Sequence, residues 1–204
     1  MIVMTSEFYD KVRNRRSVRF FNEKSVEKKV LRKILETSMY APSAHNSQPT
    51  RFFVIPKGKM RINLVDKMSE VYFTDLINDN MDEKRAKETV ERSGSIFKSA
   101  PVLILAALTM RDMWKYPDNE RQSHEHVMAV QSTAAAIQTL LLAAQAEGYA
   151  SCWLCAPLFT KKLIVEMLNL DNDIEPQAFI VLGHSSTRPP MPKRKSFEEI
   201  VHML

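Results

Sequence analysis

The chain has 204 residues, a length that fits one domain. Its hydrophobic fraction of 45% is ordinary for a globular protein and argues against a disordered or fibrous one. The formal net charge is +5, but the basic residues alternate with acids, as in residues 82–88. That pattern is typical of solvated helix faces, so we expect anionic small ligands and no nucleic-acid partner.

We expect a cytoplasmic protein without a membrane span. The N-terminal residues 1–7 lack the basic start and long apolar stretch of a secretory signal. The longest uncharged run, residues 127–146, is interrupted by glutamine, serine and threonine. A buried helix explains this run better than a transmembrane segment.

The first half of the chain predicts alternating helices and strands. Helical spacing of apolar residues predicts helices over 5–14 and from 26 to about 40, the second with Ser25 as its N-cap. Pro42 ends that helix. A short apolar run over 52–55 predicts a strand.

The second half adds three more apolar segments with strand character. Residues 59–99 read as mostly helical, and 101–107 as a strand buried on both faces. The remaining predicted elements are a helix over 122–147, a strand over 150–154, a helix over 161–168 and a strand over 177–182. We therefore predict an α+β fold, a mixed and mainly antiparallel sheet packed with helices, in one domain over 1–204.

Two polar motifs flank the predicted helix at 26–40. Arg15, Arg16 and Arg19 supply three guanidinium groups within five residues, with the hydroxyl of Ser17 between them. Arginine offers a rigid fork of donors to phosphate oxygens, so this cluster suits a phosphate. The loop at 41–49, Ala-Pro-Ser-Ala-His-Asn-Ser-Gln-Pro, supplies amides and hydroxyls suited to a heterocycle. Together they indicate a nucleotide-like cofactor, although each alone is also typical of a solvated surface.

We predict no metal site. Cys152 and Cys155 form a Cys-x-x-Cys pair, but two thiols cannot complete a four-ligand zinc site. Cys152 lies in the predicted buried strand at 150–154, and the next predicted helix begins only near Thr160. A thioredoxin-like centre requires the pair at a helix start, so structural cysteines are favoured. His124 and His126 are two residues apart and do not share a helix face.

The chain resembles the FMN-dependent nitroreductase family. The resemblance rests on residues 15–21, the loop at 41–49, the alanine-rich run ending at Glu147-Gly148 and the tail at 192–194. Within the family, the chain is most similar to the flavin domain that acts in biosynthesis of the deazaflavin coenzyme, through residues 41–45, 125–126 and 151–153. The resemblance implies an intertwined homodimer with two flavins at the interface.

The resemblance also implies residue roles. Arg15, Ser17 and Arg19 bind the phosphate, ribityl chain and pyrimidine edge of FMN. Arg16 contributes a backbone or side-chain contact. Lys193 and Arg194 complete the phosphate site. The partner subunit supplies Pro42, Ser43 and Ala44, with Asn46 and Gln48 as further polar contacts. Leu154, Cys155 and Ala156 lie along the ring near its hydride-accepting nitrogen. The alternative for these three residues is simple packing in the core.

The implied activity is an FMN-dependent NAD(P)H oxidoreductase. A reduced nicotinamide delivers hydride to FMN and leaves, and an electron-poor acceptor such as a nitro compound or quinone takes its place. This ping-pong cycle depends mostly on positioning, so no residue is assigned as catalytic. His45 is the candidate proton donor, against the simpler role of a structural histidine. Residues 59–125 form a helical excursion over the active site, and Tyr72 and Trp114 could stack there on a flat acceptor.

Two alternatives remain at this point. The first is an FMN-dependent reductase of a deazaflavin coenzyme precursor. The second is a flavin-binding or nucleic-acid-binding module without turnover, for which the arginine cluster would contact phosphates with steep salt dependence. The sequence does not distinguish NADH from NADPH, because it contains no glycine-rich dinucleotide fingerprint.

Overall fold

A computed structural model describes residues 2–204, with side chains from residue 7 onward. Six α-helices and four strands follow one another along the chain. The helices are α1 (Ile2–Asn14), α2 (Lys28–Ser38), α3 (Lys59–Asn78), α4 (Glu83–Ser99), α5 (Asn119–Ala146) and α6 (Lys161–Met167). The strands are β1 (Thr50–Ile55), β2 (Val102–Thr109), β3 (Ala150–Leu154) and β4 (Ile174–Gly183).

The four strands form one antiparallel sheet in the order β1-β2-β4-β3. A parallel bridge between Ser17 and Ser151 adds a short extended segment beside β3. The α+β class and the mainly antiparallel sheet predicted from the sequence are therefore confirmed. Because β2 and β4 are central and covered on both faces, their middle parts, 102–108 and 178–182, are apolar without alternation.

Helices cover each face of the sheet. Leu103 and Leu105 of β2 pack on one face with α3, α4 and α6, whereas Val102, Ile104 and Ala106 pack on the other with α2 and α5. This division follows from the period of two in strand side chains. The side chains of β2 therefore contribute to the hydrophobic core on both faces of the sheet.

The helix α5 runs through the centre of the fold. By length and composition it could cross a membrane. It contacts α2 and all four strands, and its residues Ile137 and Leu140 are fully buried against the sheet. It is therefore the core helix of this domain, as the apolar run at 127–146 predicts.

A buried arginine fixes the α3–α4 pair to the sheet. The side chain of Arg61 is only 1% exposed. Its guanidinium donates to the carbonyl of Ala100 at 2.7 Å, to that of Pro56 at 3.2 Å and to that of Ile55. Burial lowers the pKa of Arg61 to about 10. The three carbonyls replace the water that this cation loses on burial.

The predicted helix ends are mostly within a few residues of the observed ones, but Ser25 is not an N-cap. The helix α2 begins at Lys28 after Glu27, whose carbonyl accepts from the N–H of Leu31. Val26 instead packs against the core cluster of α5 and the sheet. Its burial keeps the chain extended past Ser25, and this tertiary contact outweighs the local capping preference.

Candidate flavin site

The arginine cluster follows α1 and runs in extended conformation beside β3. The N–H of Val18 donates to the carbonyl of Ser151 at 3.0 Å, and Val18 is buried. In extended chain, alternate side chains point to opposite sides. Arg15, Ser17 and Arg19 therefore share one side. On that side lies Cys152, whose thiol pKa is raised by burial and lowered in part by Arg19, Ser17 and Arg15.

Arg15 and Arg16 differ in how their donors are used. The Nη1 atom of Arg15 is buried and has no hydrogen-bond partner within the part of the chain that the structure describes. The Nη1 atom of Arg16 donates to the carbonyls of Arg13 and Arg15, both at 2.8 Å, and so closes the end of α1. The Nε atom of Arg16 is also buried without a hydrogen-bond partner among the described residues. Arg16, however, lines a cleft together with Val18, away from Ser17. A buried guanidinium nitrogen without an acceptor fits an anion on the Arg15 side.

The segment after β3 lies on the same edge of the sheet. Leu154 and Ala156 are half-buried and Cys155 is exposed. Ala156 begins a 3₁₀ turn, Ala156–Phe159, so its N–H has no acceptor within that turn. Ser151 and Leu154 are separated by three residues of strand, roughly 10 Å. The cluster and this segment thus lie along one edge at a separation suited to a phosphate and a ring.

The loop at 41–49 is held in an uncommon conformation. His45, Asn46 and Gln48 have φ of 54°, 53° and 49°, in the left-handed region that residues other than glycine seldom adopt. Side-chain hydrogen bonds support this geometry. The hydroxyl of Ser43 accepts from the N–H of Gln48 at 3.0 Å, and the hydroxyl of Ser132 on α5 accepts from the N–H of Ala44 at 3.1 Å.

A buried acid on α5 fixes the loop further. Nε2 of His45 lies 3.2 Å from Oε1 of Glu125, which is 0% exposed. The imidazole also stacks on Trp114, with ring centroids 3.8 Å apart and an interplanar angle of 8°. Sequence reasoning missed this contact, because Glu125 and Trp114 lie far from His45 along the chain. This contact uses one of the two imidazole nitrogens of His45 to hold the loop, which supports the structural role of His45.

The loop and the arginine cluster lie at diagonally opposite corners of the sheet. The loop leads into β1 and the cluster adjoins β3, the two edge strands, which are three strand spacings or roughly 14 Å apart. Thr50 pairs with Leu108, whereas Ser151 is level with Leu182 and Val102. That register adds roughly 20 Å along the strands. Within a single chain, the phosphate-type and amide-type groups therefore lie at opposite corners of the sheet.

The C-terminal tail starts near the cluster. The guanidinium of Arg188 donates to the backbone carbonyl and the side-chain oxygen of Asn14, at 3.2 and 3.0 Å. Lys193 and Arg194 lie farther along and are exposed. Within residues 7–204 neither makes a hydrogen bond or an ion pair through its side chain. The predicted phosphate role of these two residues stays a prediction.

Comparison with known proteins places the chain in a family. Residues 12–184 match the Nitroreductase family profile. A Bacillus subtilis protein named as an NAD(P)H nitroreductase, YfhC, is 25% identical over 91% of this chain and 88% of its own. An Archaeoglobus fulgidus protein named as an NADH dehydrogenase/NAD(P)H nitroreductase is 28% identical over 83% of this chain and 80% of its own.

Solved structures agree. A Desulfovibrio desulfuricans protein, described as a nitroreductase in complex with FMN, is 26% identical and has a TM-score of 0.75. It covers 97% of this chain, and the match spans 96% of that protein. The enzyme class and the cofactor predicted from the sequence agree with what these relatives are named for. The family prediction is confirmed: the chain belongs to the nitroreductase family.

Proposed function

We propose that this protein is an FMN-dependent oxidoreductase that takes electrons from NAD(P)H and reduces a small electron-poor acceptor. The observation that carries the proposal is the buried Nη1 of Arg15, which has no hydrogen-bond partner among residues 7–204. It lies on the same side of the β3 edge as Ser17 and Arg19. A buried guanidinium nitrogen is costly without an acceptor, and a phosphate oxygen supplies one. The FMN-bound relative from Desulfovibrio desulfuricans supports the same cofactor.

Bound FMN would supply the redox chemistry, by accepting a hydride equivalent from the nicotinamide and passing two electrons to the acceptor. For a nitro acceptor the balance is ArNO₂ + NAD(P)H + H⁺ → ArNO + NAD(P)⁺ + H₂O. For a quinone, NAD(P)H and one proton yield the hydroquinone and NAD(P)⁺. Donor and acceptor use the same place in turn, which is the ping-pong order.

The protein's own residues bind and orient the cofactor. Arg15 and Arg19 hold the phosphate and Ser17 contributes its hydroxyl. The N–H of Ala156, at the start of its 3₁₀ turn, hydrogen-bonds the ring edge. Leu154 and Cys155 flank that N–H. Arg16 closes α1 behind the cluster and acts through the backbone. The exposed Lys193 and Arg194 extend the positive potential toward the phosphate.

We also propose that the working form is a homodimer with two shared sites. The loop at 41–49 of one subunit, through Pro42, Ser43, Ala44, Asn46 and Gln48, would meet the β3 edge of its partner. The diagonal separation of the two corners within one chain supports this arrangement. Exposed apolar side chains on α1 and on the tail give each subunit surface to bury, notably Phe8, Tyr9, Phe197 and Ile200.

The cytoplasm is the location that fits this activity, since NAD(P)H is the donor and both cysteines are free thiols. Residues 59–125 include the central strand β2, so they do not form one helical excursion. The parts before and after β2 are proposed to border the acceptor side of the flavin. The α3–α4 pair and the Trp114 segment belong to these parts.

The test is a visible absorption spectrum of the purified protein before and after anaerobic NAD(P)H. Flavin bands that bleach on reduction, and recover with a quinone or nitroarene, are the expected result. A protein that takes up no FMN at low salt, but binds nucleic acid with steep salt dependence, would overturn the proposal. Recovery only with a deazaflavin precursor would instead narrow the acceptor to that compound.

A further inference from the structure

A cavity of about 380 Å³ lies between α3, α4 and the 3₁₀ turn after β3. Its size is within the range of small-molecule sites, which runs from roughly 300 to 1,000 Å³. Apolar walls come from Val65, Met68, Leu76 and Phe97. Hydroxyl groups are added by Ser69, Tyr72, Ser93 and Thr160. Apolar walls with a few polar groups are the usual composition of a ligand pocket.

The sequence builds this cavity by helical spacing and one glycine. Residues 65, 68, 69, 72 and 76 recur every three or four positions and so share one face of α3. Gly94 on α4 approaches that face closely, because a Cβ placed there would lie 3.2 Å from Oγ of Ser69 and 3.5 Å from Cγ1 of Val65. The backbone of α4 therefore forms part of the wall.

Two carboxylates mark the exposed side of the cavity. Asp75 and Asp79 line it one helical turn apart. Within the described residues neither forms a salt bridge, although two other acids of α3 do: Asp66 pairs with Lys98 at 2.5 Å and Glu70 with Lys67 at 2.8 Å. In a chain with a net charge of +5, two unpaired acids at an apolar cavity favour a cationic occupant.

The cavity also touches the segment assigned to the flavin. Ala156, Phe159 and Thr160 line it on the side of the 3₁₀ turn, and Ala156 is the residue whose N–H is proposed to face the flavin ring. An occupant would then extend from the flavin edge to the carboxylates. The same carboxylates would repel the pyrophosphate of NAD(P)H, so this arm of the site would discriminate acceptor from donor.

We propose that this cavity binds the reducible acceptor, and that the acceptor is a nitroaromatic or quinoid ring that carries a protonated amine. The ring body packs between Met68 and Phe97, and the ammonium lies near Asp75 and Asp79. This inference rests on the proposed function, because it names the substrate class of the same flavin site. The acceptor undergoes the two-electron reduction balanced above, with NAD(P)H as reductant.

Three matched probes test the charge: 2-(4-nitrophenyl)ethylamine, 2-(4-nitrophenyl)ethanol and 4-nitrophenylacetate. With the FMN-loaded enzyme, we expect kcat/KM to be about tenfold higher for the amine than for the alcohol, and lowest for the carboxylate. The variant Asp75→Asn/Asp79→Asn should remove most of that tenfold preference of the amine over the alcohol. The control Glu88→Gln/Glu91→Gln removes two exposed carboxylates of α4 outside the cavity and should change none of the ratios.

Calorimetric titration with 2-phenylethylamine measures the affinity of the cavity without turnover, because this compound cannot be reduced. We expect binding that weakens about tenfold in Asp75→Asn/Asp79→Asn, and that is lost in Ser93→Phe, which fills the cavity. Equal turnover of the amine and the alcohol would overturn the inference, as would phenylethylamine binding of equal affinity in the wild type and both variants. In either case, bleaching of the flavin by NAD(P)H would still support the proposed function. Phenylethylamine binding without flavin bleaching would defeat the proposed function and leave a cation site that is not an acceptor site.

Discussion

The two corners of the sheet are built by different means. At the β3 edge, the alternation of side chains along extended backbone is enough to place Arg15, Ser17 and Arg19 on one side. The positive charge of the two arginines is what suits this side to a phosphate. At the β1 corner, the loop needs three left-handed residues, a buried acid and a stacked tryptophan to keep its shape. The first corner is thus a binding surface of simple geometry, whereas the second depends on contacts from α5 and the segment before it.

The largest expected effect is at the arginine corner, the end of the β3 edge where Arg15, Ser17 and Arg19 lie. Replacing Arg15→Ala/Arg19→Ala should weaken FMN binding by at least about 100-fold, because two charge-assisted contacts are lost. The fold should persist, since Arg19 is exposed and neither side chain forms a hydrogen bond or ion pair among residues 7–204. FMN-to-protein ratio after gel filtration measures the first effect, and far-ultraviolet circular dichroism the second. Arg85→Ala/Arg92→Ala, on the exposed face of α4, is the control with equal charge loss. Full FMN retention by the first variant would refute the phosphate assignment.

A complementation experiment tests whether the two corners meet between chains. Asn46→Gly/Gln48→Gly removes both polar side chains while glycine accepts their positive φ. Co-expressed with Arg15→Ala/Arg19→Ala, it should yield heterodimers with about one FMN per dimer, since one of the two shared sites is then wild type. Each variant alone should bind little. Heterodimers as empty as the separate homodimers would show that both corners act within one chain.

A smaller effect is expected at the loop corner, the end of β1 where the loop at 41–49 lies. Glu125→Ala leaves His45 without its partner and opens space beside it, so it should lower the free energy of unfolding by about 1–3 kcal/mol. Glu125→Gln keeps an acceptor oxygen and should cost less than about 1 kcal/mol. Thermal unfolding of both variants is the measurement. Equal losses would mean that the hydrogen bond to His45 does not stabilise the loop.

The smallest expected effect is a loss of stability in acid at Glu175, near the start of β4. Burial of Glu175 opposes its ionisation, but hydrogen bonds from Lys161 and His126 outweigh burial and hold the pKa of Glu175 below its ordinary value. The resulting stability is present above the unfolded pKa of about 4.3 and is lost as pH falls through the lower folded pKa. Urea unfolding at pH 7 and below pH 4 should show a loss, under about 1 kcal/mol, that Glu175→Gln does not share. A variant with the same acid sensitivity as the wild type would contradict this assignment.

Local pattern was enough for the arginine corner and for most elements. The strand at 150–154 and the start of α6 at residue 161 agree with the sequence prediction, because buried strands and short amphipathic helices carry their own signals. Ser25 failed as a cap because a distant contact of Val26 determined where α2 starts. The loop corner could not be derived, since the contact of Glu125 with His45 joins residues 80 positions apart. Strand register, which sets the diagonal, is likewise non-local.

The diagonal separation has a consequence for how the protein would keep its cofactor. If each flavin draws one corner from each of two chains, cofactor binding and subunit association are linked by mass action. Dilution would then empty the sites at a concentration where each chain is still folded, and added FMN would shift the dimer equilibrium toward association. Cofactor supply would set the fraction of assembled enzyme as well as its catalytic competence.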